Sequence, residues 1–315
     1  MRRVTRDRAS LFFDAAAAPV IEVDPGERFV VETADSLCGL VKREAPQGFA
    51  IDEVIGRLGG ACRVTGPVYV RGAAPGGVLE VHIEAVRAVP ERGQAWTGIF
   101  AGFGALSADG YSIQEPLDPV TTLVSYDAQA ATLPLASGQV RIPVRPFLGT
   151  VGVAPRYERR MSFSQSPEYL GDVDLPDLTA GATLTLPVHA DGALLALGDA
   201  HAAQGDGEIT GAAIEIEAEA ELWCVPRDAD DVGFTGLPQL NTATSIGSIA
   251  GLQGNDLTYC VRAAYRDLVL RLNRHYGMAT RDAYLLLGQV GRLRVGNMID
   301  PYYSVLASID RVYLH

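Results

Sequence analysis

The alternation of hydrophobic and polar positions along this chain changes period once. Over roughly the first 225 residues, apolar residues recur at every second position in short runs punctuated by Gly and Pro. After the Ala74-Pro75-Gly76-Gly77 turn, Leu79, Val81, Ile83 and Ala85 share one face. Residues 19–31 alternate around a Pro25-Gly26 turn, and Leu184 and Leu186 alternate with Thr183 and Thr185 before Pro187. The most regular run spans 214–222. Ile214, Ile216, Ala218, Ala220 and Leu222 fall on one side, and Glu215, Glu217, Glu219 and Glu221 on the other. Successive side chains of a strand point to opposite faces, so this pattern predicts a strand with one side wet or facing a site.

Towards the C-terminal end the spacing becomes helical. Leu257, Val261, Ala264, Leu268 and Leu272 recur three or four apart, and Gly277 stands where a helix ends in left-handed backbone. Thr280 is placed to cap a second helix through Leu287, closed by Gly288 and Gly291. A strand pair over 293–299 and 304–309 follows. Residues 233–254 are dotted with glycines but carry no Lys after them. They predict a connector or an active-site loop, not a phosphate loop. The whole pattern predicts a mainly β fold with a C-terminal α+β portion. A β-rich core over 1–230 would carry the chemistry, with an α+β subdomain over 231–315 packed on it.

Composition narrows the function. With 26 basic against 38 acidic residues the formal charge is −12, which repels phosphate backbones, so no nucleic-acid partner is expected. No apolar run approaches the roughly 20 residues of a membrane span. Cys38, Cys62, Cys224 and Cys260 show no paired spacing and read as reduced thiols, in keeping with a cytoplasmic protein. Lys42 is the only lysine, and no nucleophile motif surrounds it. The nearest string to a nucleophile elbow, Gly247-Ser248-Ile249-Ala250-Gly251, has its serine misplaced. Covalent serine, cysteine or lysine mechanisms are therefore disfavoured.

The densest chemical string is 198–208, Gly-Asp-Ala-His-Ala-Ala-Gln-Gly-Asp-Gly-Glu. In an extended segment Asp199 and His201 point to one face, which suits a shared metal ion. The glycines beside Asp206 permit a turn that returns Asp206 or Glu208 towards that ion. A metal held by nitrogen and oxygen ligands polarises a carbonyl and acidifies water, and a nearby carboxylate can move the proton. The ordinary alternative is a solvated turn.

This string, with Ala213-Ile214-Glu215 after it, resembles the central motif of the acetamidase/formamidase family. Other strings resemble the family in the same order. They are Glu32-Thr33-Ala34-Asp35, Thr65-Gly66-Pro67-Val68-Tyr69-Val70, Trp96-Thr97-Gly98-Ile99-Phe100, Pro146-Phe147-Leu148-Gly149 and Asn297-Met298-Ile299-Asp300. The likeness covers about residues 19 to 310. Where the family commonly has Gly-Gly-Asn-x-Asp, this chain has Leu170-Gly171-Asp172-Val173-Asp174, so a carboxylate replaces an amide at 172.

The resemblance implies sandwich or barrel-like β layers and a homodimer. It also implies hydrolysis of small amides of formamide or acetamide type, with lactams as the alternative substrates. A non-catalytic binding homologue is the other alternative. The implied site has Asp35, Asp199 and His201 holding a divalent ion of zinc type, with Glu215 as a further ligand or as a partner that supports the ligands from behind. Glu208 or Asp206 serves as base, Gln204 or a backbone amide steadies the oxyanion, and Asp172 and Asp174 contact substrate. A carboxylate at 172 only accepts hydrogen bonds when ionised, which predicts poor turnover of acetamide and formamide.

Overall fold

The computed structural model describes residues 1–41, 51–92, 94–100, 102–106, 117–252, 254, 256–299 and 303–314. The alternating runs pair into two large sheets. One has nine strands in the order Arg2–Val4, Phe29–Thr33, Ala218–Arg227, Val78–Ala88, Thr183–Pro187, Gln239–Asn241, Ser245–Gly251, Ser304–Asp310, Arg292–Val295. The other has twelve, and Leu195–His201 lies near its middle between Glu215–Ile216 and Phe147–Gly152. Neither sheet closes into a barrel.

Their facing sides share one buried cluster. Val31, Leu79, Val81 and Leu222 of the nine-stranded sheet meet Val64, Val68, Leu148, Leu195 and Leu197 of the other. Burying each such side chain is worth about 1.5–3 kcal/mol, and this repeated gain holds the layers together. A second cluster lies under the helices Leu257–Tyr276 and Thr280–Val290. Cys260, Ala264, Leu268, Leu272, Ala283 and Leu287 cover Ile246, Ala250, Val305, Ala307 and Ile309 there.

The helical spacing is realised with small changes at the ends. Asp256 caps the long helix by accepting from the Tyr259 N–H at 2.6 Å, and Gly277 ends it at φ 64°. Ala279, not Thr280, precedes the second helix, and no side chain caps it. The 233–254 stretch is not one continuous loop. It supplies Gln239–Asn241 and Ser245–Gly251, and Thr183–Pro187 pairs with the first of these, so the nine-stranded sheet runs unbroken across residue 230. Gly247 and Gly251 lie in the second of these strands, and a Cβ on Gly247 would stand 2.9 Å from the Ala307 carbonyl.

The 214–222 run divides. Glu215–Ile216 joins the twelve-stranded sheet and Ala218–Arg227 the nine-stranded one, so the chain crosses between layers at Glu217. That crossing splits the row of glutamates. Glu219 and Glu221 face outward to Arg3, at 2.7 Å, and Arg87, at 2.9 Å, while Glu215 turns inward.

Candidate active site

The ladder itself assembles the site. Trp96, Glu215, His201 and Phe147 are successive cross-strand partners in the twelve-stranded sheet, so their side chains share a row. Asp199, two residues before His201, faces the same side. Opposite it, between the pairs Leu148–Ala200 and Thr150–Gly198, stands Gly149. A Cβ on Gly149 would lie 2.5 Å from Asp174 Oδ1 and 2.7 Å from Asp199 Oδ2, so only glycine leaves room for both carboxylates. Thr150 pairs with Asp172 on its other side.

The outcome is a cavity of about 130 Å³. For scale, an apolar cavity of about 150 Å³ admits benzene. One wall is polar: Asp172, Asp174, Asp199, His201, Glu208, Glu215 and Asn297. The rest of the lining is largely apolar, with Trp96, Phe100, Phe103 and Phe163. No lysine or arginine is among the described residues lining it.

His201 is held from both ring nitrogens. Its Nδ1 lies 3.0 Å from Gln204 Oε1. The Gln204 amide nitrogen donates to the carbonyls of Asp174 at 2.8 Å and Gly296 at 2.9 Å. Two carbonyl acceptors require the NH2 end of the side chain, so the oxygen must face the imidazole and Nδ1 must carry a proton. Nε2 is thereby turned to the carboxylates, 3.4 Å from Glu215 Oε1 and 3.6 Å from Asp199 Oδ1. Ser36 Oγ donates to Glu215 Oε2 at 2.8 Å. Asn297 donates to Asp174 Oδ2 at 2.9 Å. The Thr150 hydroxyl sits between Asp172 and Asp199 and donates to one or the other.

Strain and charge both concentrate here. Asp174, Asp199 and Glu208 occupy left-handed backbone at φ 47°, 54° and 46°, as does Cys62 on the cavity wall at 52°. Each such residue stores of order 1–3 kcal/mol that the surrounding fold must overcome. Asp174 Oδ1 and Asp199 Oδ1 are buried and have no hydrogen-bond partner among the described residues.

Burial pushes Asp172 and Glu208 well above the ordinary carboxylate range, and the charge of Asp174 adds to both. Asp174 is raised to about 7, by burial first and then by Asp199. Glu215 moves up through burial, against the pull of His201. Burial would lower the imidazole of His201, but Glu215 and Asp199 hold it well above its usual value. Asp199 moves the other way. Burial would raise it, yet the neighbouring His201 and the hydrogen bonds with Asp172 and Thr150 outweigh that. Burial and four surrounding carboxylates also push the Cys62 thiol up.

These are the properties of a cation site. Five buried carboxylates face one imidazole, and carboxylate oxygens are left without donors. Ligand atoms of Asp199, His201 and Glu215 lie within 4.8 Å of one another, as do those of Asp174, His201 and Glu208. The donors fit a divalent ion that takes nitrogen and oxygen ligands.

The sequence expectations separate on this geometry. Asp199, His201, Glu208, Glu215, Asp172 and Asp174 are brought together on the cavity wall. Three others are not. Asp35 is buried away from the cavity lining, and its carboxylate accepts the Leu37 and Gly39 N–H groups and the Trp96 indole, tying a turn to Trp96. Asp206 lies at the surface, 64 % exposed and 3.6 Å from Arg294, because Gly207 turns the chain and only Glu208 goes inward. Gln204 spends its donors on carbonyls and has none for an oxyanion. Lys42 lies outside the described residues.

Sequence reading missed Ser36, Thr150 and Cys62. Thr150 directly follows the quoted 146–149 string, and Cys62 gave no local signal.

The acetamidase/formamidase family profile matches residues 13–170 and 165–305. A Schizosaccharomyces pombe chain that carries a formamidase name is 23 % identical over 335 residues, covering 84 % of this chain and 79 % of its own. The crystal structure of an acetamidase from Bacillus halodurans aligns at TM-score 0.85 with 28 % identity, covering 99 % of this chain and 98 % of that one. An acetamidase from Yersinia enterocolitica aligns at 0.88 and 28 %, covering 100 % and 93 %. A γ-lactamase from Delftia acidovorans, at 0.62 and 20 % over 98 % and 89 % of the two chains, shares the fold.

Proposed function

The chain belongs to the acetamidase/formamidase family and is an amidase-type hydrolase, and on that premise we propose that its cavity hydrolyses small carboxylic amides of formamide and acetamide type to release ammonia, with a divalent cation of zinc type held by Asp199, His201 and Glu215. The observation that carries this reading is the orientation of His201. Gln204 fixes the proton on Nδ1, so Nε2 faces two carboxylates, and Asp199 Oδ1 there has no hydrogen-bond partner among the described residues. When bound, such a cation would polarise the amide carbonyl and acidify a water molecule.

The remaining roles fall to the chain's own groups. Glu208 lies on the wall with its pKa raised well above the usual carboxylate range by burial, and serves as the group that takes a proton from water and returns it to the leaving nitrogen. Asn297 is the neutral amide on the polar wall and takes over the oxyanion role that Gln204 cannot fill. The aromatic side packs the acyl group and excludes water, which strengthens every charge interaction inside.

The test is ammonia release from formamide, acetamide and a set of simple lactams by purified protein supplemented with zinc, manganese or cobalt. Turnover of a linear amide is expected, and His201→Ala should lose the cation and nearly all activity while its circular dichroism is unchanged. A folded, cation-loaded protein inactive on every linear amide would remove this reading.

A further inference from the structure

We propose that Cys62, Asp172 and Asp199 form a second cation site, selective for thiophilic divalent ions, that shares Asp199 with the first. Sγ of Cys62 and carboxylate oxygens of Asp172 and Asp199 lie within 4.8 Å of one another. Thiolate and carboxylate bonds to zinc of about 2.0–2.3 Å put neighbouring donors some 3–4 Å apart, so small side-chain rotations close the set. All three line the cavity already described.

A cluster of acids alone would not make a site; an unpartnered oxygen does. Asp174 is 2 % exposed, and its Oδ1 has no hydrogen-bond partner among the described residues. That atom and Asp199 Oδ2 both crowd the point where a Cβ of Gly149 would stand, at 2.5 and 2.7 Å. Asp174 Oδ1 is therefore aimed at the side of Asp199 that faces Asp172, where the Thr150 hydroxyl spans the two acids. The other oxygen of Asp199 faces His201. Asp199 thus presents one oxygen to each cluster, the arrangement of a bridging carboxylate.

Cys62 supplies the soft donor that separates the two sites: a thiolate favours zinc, cadmium or cobalt over magnesium or calcium. Cys62 is carried into position by left-handed backbone after Gly59-Gly60, and its N–H is anchored to the Ser36 carbonyl at 3.0 Å.

The inference rests on the proposed function only in that Asp199 serves both sites, and the experiment separates the two. Chelator-treated full-length protein is titrated with Co²⁺ and with Cd²⁺, following bound metal per chain and the thiolate-to-metal charge-transfer absorption. Two equivalents are expected, one carrying the absorption. Cys62→Ser should abolish the absorption and weaken that equivalent at least tenfold. Asp172→Asn should weaken the same equivalent, and His201→Ala should keep the absorption. A single equivalent in the unmodified chain, or absorption that survives Cys62→Ser, overturns the second site and leaves the amidase reading standing. Absorption without turnover of any amide does the reverse.

A second measurement needs no variant. Saturating Cd²⁺ should protect Cys62, but not Cys38, from alkylation as read by mass spectrometry. Equal labelling of Cys62 with and without the ion overturns the proposal even if the variants do not fold.

Discussion

At the scale of single residues, Gln204 and Asp206 sit two positions apart in one motif and do opposite things. Gln204 acts through His201: its oxygen holds Nδ1, and its nitrogen ties together the carbonyls of Asp174 and Gly296. Gln204→Ala removes the imidazole's orienting partner and strands two carbonyls. Loss of a partner of this kind reduces metal affinity or activity by about 10–100-fold. An unsatisfied buried acceptor adds roughly 1–3 kcal/mol of destabilisation. Metal titration together with a urea melt should show both effects; unchanged affinity would free His201 from Gln204. Asp206 is exposed, and its pair with Arg294 is of the surface kind, worth about 0–1 kcal/mol. Asp206→Asn should keep kcat/KM within about twofold of the unmodified value, since nothing of it reaches the cavity. A large loss of kcat/KM would return Asp206 to the list of proton carriers.

Among the elements, Phe147–Gly152 and Leu195–His201 do most to shape the site, and their contact depends on one absent side chain. Gly149→Ala would set a methyl group 2.5 Å from Asp174 Oδ1 and 2.9 Å from the Asp199 carbonyl. Neither neighbour is the free end of a long side chain, so the strands must part or the carboxylates must turn. Overpacking of this kind costs about 1–3 kcal/mol, and small displacements in a site can reduce rate by about a hundredfold. The variant should fold with a lowered Tm and be nearly inactive. Activity above a tenth of the unmodified level would show that the two carboxylates need not sit so close. The two-residue strand Glu215–Ile216 matters for a different reason. By leaving the neighbouring sheet at Glu217, the chain delivers a single glutamate of its row to His201.

At the level of the whole molecule, the site is a buried store of excess negative charge, and its pH dependence follows from that. In the folded protein Asp174 keeps its proton to about pH 7, whereas an unfolded aspartate loses it near 4. Between those values the folded state binds more protons, so stability falls as pH rises. The contribution is full below the unfolded value and is gone once pH passes through about 7. Asp172, Glu208, Glu215 and His201 are raised in the same sense, and Asp199 alone opposes them. Chelator-treated protein should therefore melt at a lower temperature at about pH 8 than at about pH 5. A bound cation replaces the protons, so the Tm gain on adding zinc should grow with pH. Thermal melts at both pH values, with and without zinc, check this, and a gain that shrinks with pH would speak against carboxylate ligands. Gly296 and Asn297 reach into the site through Gln204 and Asp174. We propose that residues 231–315 are a subdomain packed on the core, and their strands continue the core's own sheet.

The chain alone determined what depends on neighbours in sequence. Alternating apolar residues specified most of the strands, three-four spacing specified two helices, and Gly277 specified where the first of them stops. The Asp199, His201 and Glu208 cluster was legible because a strand and a glycine turn bring such close positions together. Tertiary structure decided everything set by cross-strand register. Thr150 and Asp172 are 22 residues apart, and Ser36 and Glu215 are 179 apart, so their meeting follows only from which strands pair and where. Asp35 and Asp206 look as suitable as Asp199 by residue type. A carboxylate's role depends on whether backbone amides, a surface arginine or a buried imidazole meets it first, and packing, not spacing, makes that choice.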